Sequence, residues 1–144
     1  MMTVFLIDDS DWVRERLASA IGEIDGAQVA GGTGDPAEAP RRFKALRPDV
    51  VVLDIRLAGG NGIDILKQIK HLDPATRVIM FTNNDLLQYR TQCLDAGADY
   101  FMSKTDEFER LCELLTDLAT KQKGGNRTRQ EGSAEPGAPL KVPP

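Results

Sequence analysis

The sequence predicts an α/β fold, a doubly wound parallel sheet of five strands with five helices on its two faces. Two observations predict it. Between residues 3 and 122, short apolar runs alternate with longer segments in which apolar residues recur at helical spacing. The runs also differ in strength. The first, third and fourth are continuously apolar, as strands buried on both faces must be, while the second and fifth are weak and belong at the edges. With right-handed crossovers the strand order is then 2-1-3-4-5. Its switch point lies between strands one and three, and ligands bind there, outside the carboxyl ends of the strands.

Taken in order, Val4-Phe5-Leu6-Ile7 is the first strand, and Ser10 or Asp11 caps a helix carrying Val13, Leu17, Ala20, Ile21 and Ile24. Gly26 ends that helix. Gln28 to Gly31 is the weak second strand, followed by a helix from about Pro36 that stops before Pro48. Val50-Val51-Val52-Leu53 is the strongest strand signal. The glycines at 59, 60 and 62 form a turn, and Ile63, Leu66, Ile69 and Leu72 make a helical stripe. Arg77 to Thr82 is the fourth strand, with a helix expected from about Asp85 to Ala96. Gly97 precedes the short fifth strand, Tyr100-Phe101-Met102. The last helix shows Phe108, Leu111, Cys112, Leu115 and Leu118 on one face.

Composition limits the function classes. The chain has 144 residues, enough for one domain, here read as residues 1–122. Residues 123–144 carry eight Gly or Pro and few aliphatics, a composition that cannot offset its ordering entropy, so the tail is expected to be disordered. The net charge of −4 divides into about +2 on the tail and −6 on the body, which argues against nucleic-acid binding. The longest apolar runs, about five residues, cannot span a membrane. The start lacks a basic, apolar leader, and Cys93 and Cys112 show no metal or redox spacing; a cytoplasmic location is expected. His71 has no second His or Cys nearby and is read as a surface residue.

The strand ends carry the chemistry. Strand one ends in Asp8-Asp9, strand three in Asp54, strand four in Thr82, and strand five in Ser103-Lys104. Parallel strands deliver all of these to one sheet edge. Carboxylate pairs at about 4 Å repel by roughly 1–4 kcal/mol each, for dielectrics from water to near-surface protein. One lysine cannot cancel three charges. An oxygen-ligated divalent cation can, and few carboxylates with retained waters suit Mg²⁺ better than Ca²⁺.

With these residues in place, residues 3–122 resemble the receiver domain of bacterial two-component response regulators. The resemblance rests on Asp8-Asp9, Asp54 within Val-Val-Leu-Asp-Ile-Arg-Leu, Gly62, Thr82, Phe101 within Gly-Ala-Asp-Tyr-Phe, and Lys104. It implies a flavodoxin-like sheet and a single-domain signalling module rather than an enzyme. It implies that Asp54 accepts a phosphoryl group from a histidine kinase or phosphotransfer protein. Asp9, Asp54 and the backbone carbonyl of Arg56 would ligate Mg²⁺, with Asp8 acting through a metal-bound water. Lys104 would pair with one phosphoryl oxygen and Thr82 with another, letting the Phe101 ring turn inward. An effector protein would read the change over residues 85–122, with the chain a monomer or a phosphorylation-dependent dimer.

Three positions depart from the family pattern. Thr105 stands where a proline after a cis bond is usual, which leaves that peptide's geometry open. Asn83 is larger than the usual residue and narrows access to the phosphoryl group. Ala58 replaces a frequent proline, which loosens that turn. Arg56 and Asn84 sit where family members tune phosphoryl lifetime. A phosphatase of the haloacid-dehalogenase type also uses an aspartyl nucleophile, but wants a second Asp where Arg56 stands. A flavin module of the same strand order would need a Gly-rich phosphate loop where Asp8-Asp9 would repel phosphate. Within the receiver reading, a phosphorelay shuttle or a phosphate sink stays open.

Overall fold

A computed structural model describes residues 1–83 and 87–124. The main sheet contains β1 (Met2–Ile7), β2 (Ala27–Thr33), β3 (Val50–Leu53), β6 (Arg77–Thr82) and β7 (Tyr100–Ser103). All its pairings are parallel, in the order β2-β1-β3-β6-β7. Counting only these five strands, this is the predicted 2-1-3-4-5. The remaining strands, β4 (Arg56–Leu57) and β5 (Gly60–Asn61), form a two-residue antiparallel ladder in the glycine-rich turn. The helices are α1 (Asp11–Gly22), α2 (Ala39–Leu46), α3 (Gly62–Leu72), α4 (Leu87–Asp95) and α5 (Phe108–Gly124).

Alternation along the strands sorts their side chains into two cores. Phe5, Ile7, Val51, Leu53, Val78, Met80 and Phe101 face α2, α3 and α4, packing on Phe43, Leu66, Ile69 and Cys93. Val4, Leu6, Val50, Val52, Ile79, Phe81 and Met102 face α1 and α5, packing on Leu17, Ile21, Leu111, Leu115 and Leu118. Burial on both faces is why β1, β3 and β6 read as unbroken apolar runs.

The boundaries differ from expectation where local hydrogen bonding overrides periodicity. β2 is longer than its weak pattern suggests, because it lies on β1 as an edge strand with a register shift between Val4 and Phe5. The second helix begins at Ala39 rather than Pro36. Asp35 accepts from the backbone of Ala37, Glu38 and Ala39 and holds residues 36–38 as a turn, so Pro40 is the proline in the helix's first turn. Ser10, not Asp11, caps α1, its hydroxyl accepting from Val13 N. Cys112 is only half-buried, at the margin of the α5 stripe. α5 continues to Gly124, two residues into the expected tail. The rest of that tail, the start of the fourth helix and Asn84 lie outside the described residues. Among the described residues no helix is long and apolar enough to cross a membrane.

Candidate functional site

Backbone hydrogen bonds beyond the strand ends set the site. Asp8 N donates to Thr33 O, Asp54 N to Ile7 O and Lys104 N to Thr82 O, each within 3.0 Å. The parallel ladder therefore runs one residue past β1, β3 and β7, and Asp8, Asp54 and Lys104 emerge together at the carboxyl edge. Lys104 Nζ lies 2.7 Å from Oδ2 of Asp8 and 2.7 Å from Oδ2 of Asp54. Asp8 and Asp54 are buried, and the lysine side chain is only 12% exposed. Asp9 is exposed at the rim, its Oδ2 accepting from Ala58 N at 3.1 Å.

One oxygen from each of Asp8, Asp9 and Asp54 lies within 4.8 Å of the others. Asp54 Oδ1 is buried without a hydrogen-bond partner. A buried carboxylate oxygen without a donor is costly in water-free surroundings, and a hard, oxygen-ligated cation is the partner that this donor set fits. The electrostatics agree. Burial raises the Asp8 carboxyl above its ordinary value and the Asp54 charge adds to this, against the lowering by Lys104 and by Ser10 N. Burial alone would lower the Lys104 ammonium, but its hydrogen bonds to Asp54 and Asp8 carry it above the usual lysine value.

The other expected residues take these places. Thr82 is buried at the end of β6, opposite Ser103 and beside the Lys104 peptide. Phe101 is fully buried in the core under α4, with the Arg90 guanidinium 5.0 Å from its ring centroid. Arg56 is exposed in β4 and lines, with Asp9, Ala58, Asn61 and Tyr89, a cleft of roughly 440 Å³ beside the acidic cluster. Asn83 is exposed. Cys93 is buried and its thiol is pushed up to about 11 by that burial, as suits a core filler.

Two departures from the family pattern acquire a structural meaning. Ala58 does not simply loosen its turn: its N–H, which proline lacks, anchors Asp9. No cis peptide bond occurs among the described residues, so the Lys104–Thr105 bond is trans. That loop is instead held by Ser103 and Glu107. The Glu107 carboxylate accepts from Ser103 N at 2.6 Å, Ser103 Oγ accepts from Thr105 N, and Glu107 N donates to Ser103 O. Sequence reasoning missed Glu107, although a serine followed at short range by a glutamate before an apolar helix is a capping signal. It also missed Arg14, whose guanidinium donates to the Asp8 carbonyl and to Asp11.

A family model described as "Response regulator receiver domain" matches residues 4–116. Chemotaxis protein CheY of Thermotoga maritima is 31% identical over 116 residues, covering 81% of this chain and 96% of its own. A protein-glutamate methylesterase/protein-glutamine glutaminase of Caulobacter vibrioides is 34% identical over 143 residues, 96% of this chain but 41% of its own. The chain thus spans about half or less of the length of that relative and of the regulators DevR/DosR and GacA. Among solved structures, the response regulator domain of Thermotoga maritima CheB superposes with a TM-score of 0.74 at 29% identity, covering 84% of this chain and 95% of that one. CheY in a CheX-CheY-BeF3-Mg²⁺ complex from Borrelia burgdorferi gives 0.74 at 26%, covering 81% and 88%.

Proposed function

The chain belongs to the response regulator receiver domain family, and on that footing we propose that Asp54 is its phospho-acceptor, loaded in an Mg²⁺-dependent step by a histidine kinase or phosphotransfer protein. The observation that carries this reading is the buried Asp54 carboxylate, with one oxygen on Lys104, the other without a hydrogen-bond partner, and the group within the Asp8–Asp9–Asp54 cluster. One Asp54 carboxylate oxygen is the nucleophile. It forms a bond to phosphorus as the bond from phosphorus to the donor histidine nitrogen breaks, and the departing imidazole keeps that electron pair and takes up a proton. Lys104 neutralises charge on the transferred group, and burial strengthens that interaction. Asp9, Asp54 and the Arg56 carbonyl would hold the cation, with Asp8 outside them through a water. When bound, the metal supplies charge neutralisation at the carboxylates and the phosphoryl oxygens.

Thr82 then hydrogen-bonds a phosphoryl oxygen, and the equilibrium around Phe101 shifts by a coupling of about 1–3 kcal/mol. The surface from about residue 85 to 122 carries that shift to an effector protein. The domain is residues 1–122, and the chain acts as a phosphorylation-controlled binding module in the cytoplasm.

The test is direct. Incubation of the full chain with Mg²⁺ and a small phosphodonor should give one acid-stable, base-labile phosphoryl group per chain by intact mass, and none on Asp54→Asn. No adduct with any small donor or phosphohistidine protein removes the reading. Sustained turnover of a phosphate ester would favour a phosphatase instead.

A further inference from the structure

The acidic pair is gripped from behind by a side chain outside the cluster. We infer that Arg14 is a positioning residue for divalent-cation binding, its forked guanidinium fixing the peptide between Asp8 and Asp9. The inference rests on the metal-dependent reading above and goes beyond it by assigning a role to α1 and to the loop after β2.

Three observations meet at Arg14. One guanidinium nitrogen donates to the main-chain carbonyl of Asp8, and the other to the Asp11 carboxylate in the first turn of α1. The Asp8 carbonyl belongs to the peptide that joins the two candidate ligands, so its orientation sets the direction of both side chains. Arg14 is also enclosed, its side chain 23% exposed. The loop after β2 closes over the same peptide. A Cβ on Gly34 would lie 2.8 Å from Asp9 Cα, 3.0 Å from an Arg14 nitrogen and 3.1 Å from Asp8 O. Gly34 is required there for close approach, and the loop and the guanidinium press on the turn together.

Charge and clamp make opposite predictions. A cation beside three carboxylates repels a second cation, so if Arg14 acts only through its charge, Arg14→Gln should bind metal more tightly. If it acts by holding the Asp8–Asp9 peptide, the same variant should bind more weakly. Arg14→Lys separates the two further, because it keeps the charge but cannot reach the Asp8 carbonyl and Asp11 with a planar fork.

The experiment is calorimetric titration of the full chain with MgCl₂ in wild type, Arg14→Lys and Arg14→Gln, with circular dichroism establishing that each is folded. Loss of a group that orients metal ligands typically weakens binding about 10–100-fold, and about tenfold is expected for both variants. Arg14→Lys is the milder change and decides the question if Arg14→Gln fails to fold. Wild-type affinity in Arg14→Lys, or tighter binding in Arg14→Gln, overturns the clamp. A wild type that binds no Mg²⁺ instead overturns the metal-dependent reading of the site, and the role of Arg14 with it.

Discussion

Gly62→Ala is expected to lower stability by about 3 kcal/mol or more, the upper range for forcing extra atoms into a packed site. Gly62 opens α3, with its N–H on Ile55 O at 2.6 Å. A Cβ there would stand 1.9 Å from the carbonyl oxygen of Asp54 and 2.9 Å from Ile55 Cα. Both are backbone atoms, so no side-chain rotation relieves the overlap. Either α3 moves off the sheet or the peptide after Asp54 turns, and the second outcome displaces the carboxylate proposed as the phospho-acceptor. Against a total of roughly 5–15 kcal/mol, that is a large fraction. Urea denaturation measures the loss, and the extent of phosphoryl incorporation in the folded fraction measures the displacement. Gly22→Ala is the control. Nothing lies within 4 Å of its Cβ, and in the last turn of α1 the change should stabilise by about 0.5–1 kcal/mol. A loss at Gly62 no larger than about 1 kcal/mol, the ordinary scale of a point mutation, would show that the contact yields.

The second large effect is a reversal of pH dependence by metal. Asp8 is raised in the folded state, chiefly by burial. Its contribution to stability is therefore fully present below the ordinary carboxylate value and is lost as pH rises through the folded value. In a chelator, stability should fall as pH rises above the ordinary carboxylate value, on account of this group. Lys104, also raised, contributes throughout that window, its share being lost only above the usual lysine range. Mg²⁺ needs the carboxylates ionised, so the stability it adds should grow over the same interval. At a hundredfold excess over its dissociation constant it adds about 2.7 kcal/mol. Melting temperatures with chelator and with Mg²⁺, across this pH range, make the comparison, and Asp8→Asn should flatten the chelator slope. A metal increment that does not change with pH would count against carboxylate ligation.

Both expectations show what a sequence can and cannot disclose. The strands buried on both faces were legible because Val50–Leu53 and its neighbours have no polar side to hide. Asp8, Asp9, Asp54, Thr82 and Lys104 were legible because parallel strands must end at one edge. The start of α2 was not, since Asp35 redirects the chain with hydrogen bonds that periodicity does not register. The contacts of Arg14, Ala58 and Gly34 escaped for a related reason. Each acts on main-chain atoms or lends its own, and a pattern of side chains carries no signal of which carbonyl a guanidinium reaches. Gly62 could be named from its motif, but only the packing against Asp54 O says why no other residue serves.

The alternation of β7 places Phe101 and Met102 on opposite sides of the sheet. A space left by the Phe101 ring would open in the compartment beneath α4, whereas Met102 fills the opposite compartment. The sheet thus works as a bulkhead between two separately packed compartments, and each side chain of β7 bears on only one of them.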